Sequence, residues 1–162
     1  MTVSRVPIAL GLLALLLAGC GFQLKGAVSL PADVKTVYVA TSDELSPFSV
    51  ELGRALDAAG ATRAASASEA DAVIRVAQDR TGRRVLSVSA RNTPQEYQVY
   101  YVLGYSIERG DQKAVAPQEI ELSRSYSFSE SNLLAKDREE AILREALARD
   151  LADLVVRRLA SL

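Results

Sequence analysis

The chain contains no histidine and a single cysteine, Cys20. Without histidine it lacks the commonest general base, the usual zinc ligand and the usual Ser-His-Asp arrangement. One thiol cannot close an intrachain disulfide, so the fold must be held by packing. No Gly-rich phosphate loop is present, no carboxylates stand in a recognisable catalytic pair, and no serine lies in a nucleophile motif. These absences argue against an enzyme, including a hydrolase built on serine and carboxylates, and against a bound metal. Basic residues are not in excess either, at 19 Lys and Arg against 20 Asp and Glu, which excludes the global positive charge of a nucleic-acid binder. An anionic ligand must therefore be met by a local patch.

The first apolar run, Val6 to Ala18, is shorter than the ~20 residues a membrane-spanning helix needs. It follows Arg5 and ends in Leu17-Ala18-Gly19-Cys20. A cation, a short apolar stretch and small residues before a cysteine make a lipoprotein export signal. Residues 1–19 are expected to be removed, and Cys20 to carry diacylglycerol on its thiol and a further acyl group on its new amino terminus. This covalent lipid is the only non-protein group expected. Gly21 lacks the aspartate that retains lipoproteins in the inner membrane, so the outer membrane is the expected destination, with the domain facing the periplasm.

Residues 20–34 hold two glycines and Pro31 and read as a tether, from which Phe22, Leu24 and Leu30 are free to dock on the domain. Residues 35–162 read as a single domain. Lys35 to Thr41 is rich in β-branched residues and predicts a strand. Ser46-Pro47 opens a helix whose apolar face is Phe48, Leu52, Ala55, Leu56 and Ala59, closed by Gly60. A second strand starts near Ala72, reaches Gln78, and continues to Ser89 if the chain stays extended through Thr81-Gly82. The strand–helix–strand order predicts a right-handed crossover with these two strands parallel. After the turn signal Asn92-Thr93-Pro94, Tyr97 to Ile107 alternate as a long strand. Arg109-Gly110-Asp111 turns the chain into a fourth strand, in which Ile120, Leu122, Tyr126 and Phe128 share one face. Arg124 falls on that apolar face, so a carboxylate partner or a position at the sheet rim is expected. The last element is an amphipathic helix from Leu134 to Ala160, with a stripe of Leu143, Leu147, Leu151, Leu154 and Leu159 that should pack on the sheet. The expected fold class is α+β: a two-layer sandwich of a four-stranded mixed sheet with two helices on one face.

Several segments resemble the family of LPS-assembly lipoproteins called LptE, or RlpB. They are Cys20-Gly21-Phe22-Gln23-Leu24-Lys25 with Leu30-Pro31, then Arg91-Asn92 with Glu96-Tyr97-Gln98, then Arg124-Ser125 with Phe128, and last Leu134-Ala135-Lys136-Asp137 with Glu139. Their order and spacing agree with the family from about residue 20 to 160. Two departures stand out: the loop before the first helix is short, and the polar C-terminal tail of some members does not follow Leu162. The resemblance implies a non-catalytic outer-membrane lipoprotein in a one-to-one complex with the β-barrel protein LptD, acting as plug and assembly factor. It also implies binding of lipopolysaccharide on its way to the outer leaflet. In the family a basic residue before the central strand and another opening the last helix are implicated in that binding, and the matching positions are Arg91 and Lys136. Arg83 and Arg84 extend the patch if the second strand continues past Gly82. The alternative for Arg91 is a simple ion pair with Glu96, and for Lys136 one with Glu139 or Glu140. The sheet edges and the loops around Asn92 and Gly110 are the parts expected against the barrel wall. The competing reading is an outer-membrane lipoprotein of an intermembrane phospholipid transport system.

Overall fold

The structure is a computed structural model that describes residues 28–110, 112–127 and 133–162. The lipidation site Cys20, the tether from Gly21 to Ala27, Asp111 and Phe128 lie outside the described residues. In chain order the elements are strand β1 (Thr36–Ala40), helix α1 (Pro47–Ala58), strand β2 (Thr62–Arg63), a 3-10 turn (Ala67–Glu69), strands β3 (Ala72–Val88), β4 (Pro94–Arg109) and β5 (Gln112–Ser127), and helix α2 (Leu133–Ala160). The sheet order is β2-β1-β3-β4-β5, with β1 parallel to β2 and β3, and the rest antiparallel.

The helix starts and stops follow local chemistry. The Ser46 hydroxyl accepts from the Ser49 N–H at 3.1 Å and donates to Asp79 at 2.5 Å, so one side chain caps α1 and ties it to β3. Tyr101 completes this junction: its hydroxyl donates to Asp79 at 2.7 Å and accepts from the Phe48 N–H at 3.2 Å. Gly60 follows α1 with φ of 82°, the left-handed conformation that glycine enters without steric cost.

Phe48, Leu52 and Leu56 of α1 and Leu147, Leu151, Val155 and Leu159 of α2 are buried against Ile74, Val99, Tyr101, Leu103 and Ile107. Both helices thus cover one sheet face. Leu154, read as part of the α2 stripe, is instead exposed, and Ala148 and Ala152 take the buried positions beside Leu147 and Leu151. The tether's end belongs to this core as well: Val34 is buried, and Leu30 packs against it.

The sheet has five strands, not four. The additional strand, β2, has two exposed residues, with Thr62 N–H bonded to Lys35 O at 2.8 Å and Ala64 N–H to Val37 O at 3.0 Å. Two polar residues carry no alternation, so nothing in the sequence marks them as a strand. β3 runs unbroken through Gly82, and a bulge between Val76 and Gln78 changes its phase. Ile74 and Val76 face the helices before it; Asp79, Thr81, Arg83 and Val85 share that face after it, judged by their β4 partners. β5 begins at Gln112, well before Ile120. Its Pro117 is tolerated because β5 is an edge strand. Arg124 does meet a carboxylate, donating to Asp150 of α2 at 2.6 Å.

Candidate functional site

The first turns of α2 lie over the part of the sheet where β3, β4 and β5 extend past α1. Here Arg83, Tyr97 and Tyr126 share the helix-facing side, since Tyr97 pairs with Val85 on one flank and with Tyr126 on the other. The two tyrosine rings stack with centroids 5.8 Å apart and planes at 23°. The Arg83 guanidinium lies 5.2 Å from the Tyr97 centroid, and the Lys136 ammonium 5.6 Å from the Tyr126 centroid. Two cations therefore bracket a two-ring stack, each attracted by the negative π-face it covers.

Glu140 joins the layers. It is buried, and its Oε2 accepts from Arg83 at 3.0 Å and from the Tyr126 hydroxyl at 3.1 Å, while Oε1 accepts from Arg144 one turn along the helix. A buried carboxylate with three donors meets the requirement that such a charge be paired and hydrogen-bonded. The carboxylate beside Arg83 raises the guanidinium's pKa further, so its charge is permanent. Burial, then Glu140, raises the Tyr126 hydroxyl, which stays protonated and donating.

An open cavity of about 470 Å³ adjoins this cluster, lined by Arg83, Asp137, Glu140 and Arg144. The buried Nε of Arg144 has no acceptor. Arg83 keeps about half its side chain in solvent although it is bound to Glu140. The solvent-facing guanidinium of Arg83 suits a phosphate or carboxylate oxygen arriving at the cavity, whereas the Arg144 Nε is closed off from solvent and Asp137 and Glu140 add negative charge to the lining.

Of the four cations singled out in the sequence, Arg83 and Lys136 are brought together. Lys136 is three-quarters buried or more and pairs with Glu139 at 2.7 Å. Arg91 stands apart in the Ser89–Thr93 turn of the β3–β4 hairpin, exposed, and forms no ion pair among the described residues. Glu96, its alternative partner, accepts instead from the Ser87 hydroxyl at 3.0 Å. Arg84 lies on the opposite sheet face, over the Tyr100 ring at 5.2 Å and donating to Gln98 at 2.5 Å and Glu121 at 2.8 Å. The sequence offers Glu140 as an alternative partner of Lys136 and places Arg144 on the polar side of the amphipathic α2. Their spacing of four marked an ion pair, but nothing local showed that this pair faces the sheet.

No group of three or more potential metal ligands occurs among the described residues, and no described helix is long and apolar enough to cross a membrane.

The chain is 27% identical over 153 residues to the LPS-assembly lipoprotein LptE of Pectobacterium atrosepticum, covering 94% of this chain and 83% of that protein. The LPS-assembly lipoprotein LptE of Photorhabdus laumondii is 26% identical over 154 residues, with 95% and 84% covered. Among solved structures, a lipoprotein B from Nitrosomonas europaea superposes with a TM-score of 0.73 at 25% identity, covering 87% of this chain and 91% of that one. The rare lipoprotein B of Shewanella oneidensis, at 23% identity and a TM-score of 0.69, shares the fold over 78% of this chain and 95% of its own. The profile of the family described as LptE, lipopolysaccharide-assembly, matches residues 34–159, from the buried Val34 to the last core residue of α2, and the chain belongs to that family.

Proposed function

We propose that this protein is an outer-membrane lipoprotein, acylated on Cys20, whose periplasmic domain works without catalysis in lipopolysaccharide assembly. It forms a one-to-one complex with a β-barrel of LptD type, as plug and assembly factor, and holds lipopolysaccharide for transfer to the outer leaflet. The names of the curated relatives support this reading. The observation that carries it in the structure is the placing of cations: Arg91 exposed at the hairpin tip with no ion pair among the described residues, and, separately, Arg83 half exposed at a cavity beside the first turns of α2. Lipid A phosphates need donors that stay cationic, and guanidinium supplies them. Residues 1–19 act as the export signal and residues 20–34 as the lipidated tether of the single domain 35–162. A barrel lumen is polar, which suits a plug whose open sheet face carries Arg75, Arg80, Arg84 and Glu121.

The test is purification of the full chain from detergent-solubilised outer membrane. Recovery of an LptD-type barrel in equal amount supports the proposal. Recovery with an inner-membrane permease system supports phospholipid transport and overturns it.

A further inference from the structure

Strand β1 loses its outer neighbour halfway along. β2 registers with Thr36 and Val37 only, and the last bond on that side runs from the Ala64 N–H to Val37 O at 3.0 Å. On the inner side β3 stays paired with β1 as far as Ala40. Thr62 and Ala64 bond the carbonyls of Lys35 and Val37, whereas Asp71 bonds that of Thr36, so alternate residues of β1 turn their backbone groups outward. The next outward pair, the N–H and C=O of Val39, has no partner strand among the described residues. An unpaired edge of this kind is a template for another chain.

A groove of about 300 Å³ runs along this edge. Leu45, Ser49 and Gly53, at four-residue steps on α1 and its approach, form one wall, and Val37 and Val39 form the other. Leu45 is 87% exposed, the highest value among the described large apolar side chains. Arg63 stands where β2 leaves the sheet and the groove ends. Its guanidinium lies close to α1 because residue 53 is glycine: a Cβ there would come within 3.2 Å of Arg63 Nη1. The ion pair of Arg63 with Asp57 spans 3.8 Å and the side chain is 64% exposed, so the cation has donors to spare.

These features choose the occupant. An acyl chain would cover the Val39 N–H and C=O without bonding them, so a lipid does not fit. A second copy does not fit either: the free stretch runs only from Tyr38 to Ala40, and β2 of each copy would collide with the other's chain. An extended polypeptide presents N–H and C=O groups at strand spacing together with side chains for the groove. A carboxylate on that segment is the natural partner of Arg63.

We infer that the β1 edge between Val37 and Thr41 is a docking groove for an extended segment of a partner protein. The segment adds to the sheet as a strand beside Val39, buries an apolar side chain against Leu45 and sets an acidic one against Arg63. This goes beyond the proposed role and requires no lipopolysaccharide.

The experiment starts in living cells, with photoreactive benzoylphenylalanine at position 45 or 65 of the full chain, and at the exposed position 142 of α2 as control. Positions 45 and 65 are expected to trap one and the same stretch of another protein, located by mass spectrometry, and position 142 is not. That stretch, made as a synthetic peptide blocked at both ends, should slow exchange of the Val39 amide hydrogen in the purified full chain roughly tenfold or more. Arg63→Glu should leave the melting temperature nearly unchanged and weaken peptide binding roughly tenfold, and replacing the peptide's acidic residue with lysine should restore it. Trapping of lipid, of a second copy, of residues 21–27 of the chain itself, or of nothing overturns the inference. So does a peptide that binds without protecting Val39, or one that protects the β5 edge instead.

Discussion

Arg91 and Lys136 occupy different electrostatic settings, and their substitutions should separate accordingly. Arg91→Asp removes an exposed cation without a partner, so the folding free energy should move by less than about 0.5 kcal/mol in urea unfolding. Capture of lipopolysaccharide should nevertheless fall, and by more at low salt than at high, because a screened phosphate contact is lost. Full capture by the folded variant would remove Arg91 from the site. Lys136→Asp is a poorer probe. It loses the Glu139 pair and the contact over Tyr126, about 1 kcal/mol together, and puts a third carboxylate beside Glu139 and Glu140. Lys136→Gln is the cleaner variant. Glu140 is structural first: Glu140→Ala strands Arg83, Arg144 and the Tyr126 hydroxyl, and should cost about 2 kcal/mol in the same urea titration. A neutral outcome would mean that solvent satisfies those donors.

At the scale of elements, the β3–β4 hairpin and the start of α1 are the parts most sensitive to small changes. Gly82 faces Tyr100 across the strand pair, and a Cβ at residue 82 would lie 2.5 Å from the Tyr100 hydroxyl oxygen. Gly82→Ala must therefore push the Tyr100 ring away from Arg84, at an expected cost of about 1–2 kcal/mol. Adding Tyr100→Ala should make residue 82 tolerant, so a double-mutant cycle will show coupling; additive effects would show that the ring moves freely. Ser46→Ala removes both the α1 cap and the donor to Asp79, and should cost about 1–2 kcal/mol by thermal unfolding. The bulge at Ala77 aims Asp79 at that cap and at Tyr101; without it, Asp79 would point to the open face.

For the whole molecule, pH should act at both ends of the scale. The Asp71 carboxylate accepts the Thr36 and Lys35 N–H groups, each at 2.8 Å, and the Thr36 hydroxyl, which hold its pKa below the ordinary 3.8. Its stabilisation is present above that value and is lost as pH falls through the lower folded one. At the alkaline end, burial and then the adjacent Asp79 raise the Tyr101 pKa above its ordinary 10.0. The proton is thus held more tightly in the folded chain, and stability falls once pH passes about 10, where the unfolded chain ionises. Asp71→Asn should flatten the acid limb of a stability–pH curve, and Tyr101→Phe should reduce the alkaline slope, with Tyr105 and Tyr126 supplying the remainder. Unchanged limbs would assign the titration to other groups.

Local order was written in the sequence wherever it depends on neighbours along the chain. Ser46-Pro47 and Gly60 bounded α1, Asn92 and Gly110 marked the two hairpin turns, and the alternation from Tyr97 to Ile107 marked the central strand and its buried face. The carboxylate owed to Arg124 was also legible, because a cation on an apolar face must be paired, although its identity as Asp150 was not. Cys20 and the export signal rest on sequence alone. Tertiary structure decided what no local pattern encodes. It added β2, whose two polar residues become a strand only because β1 offers an edge beside them. It set the phase of β3 through a bulge, and so sent Arg83 to the helix side and Arg84 to the other. It turned Glu140 from a surface residue of an amphipathic helix into the buried acceptor that joins α2 to the sheet, because only the docking of that helix determines which of its polar side chains leave water.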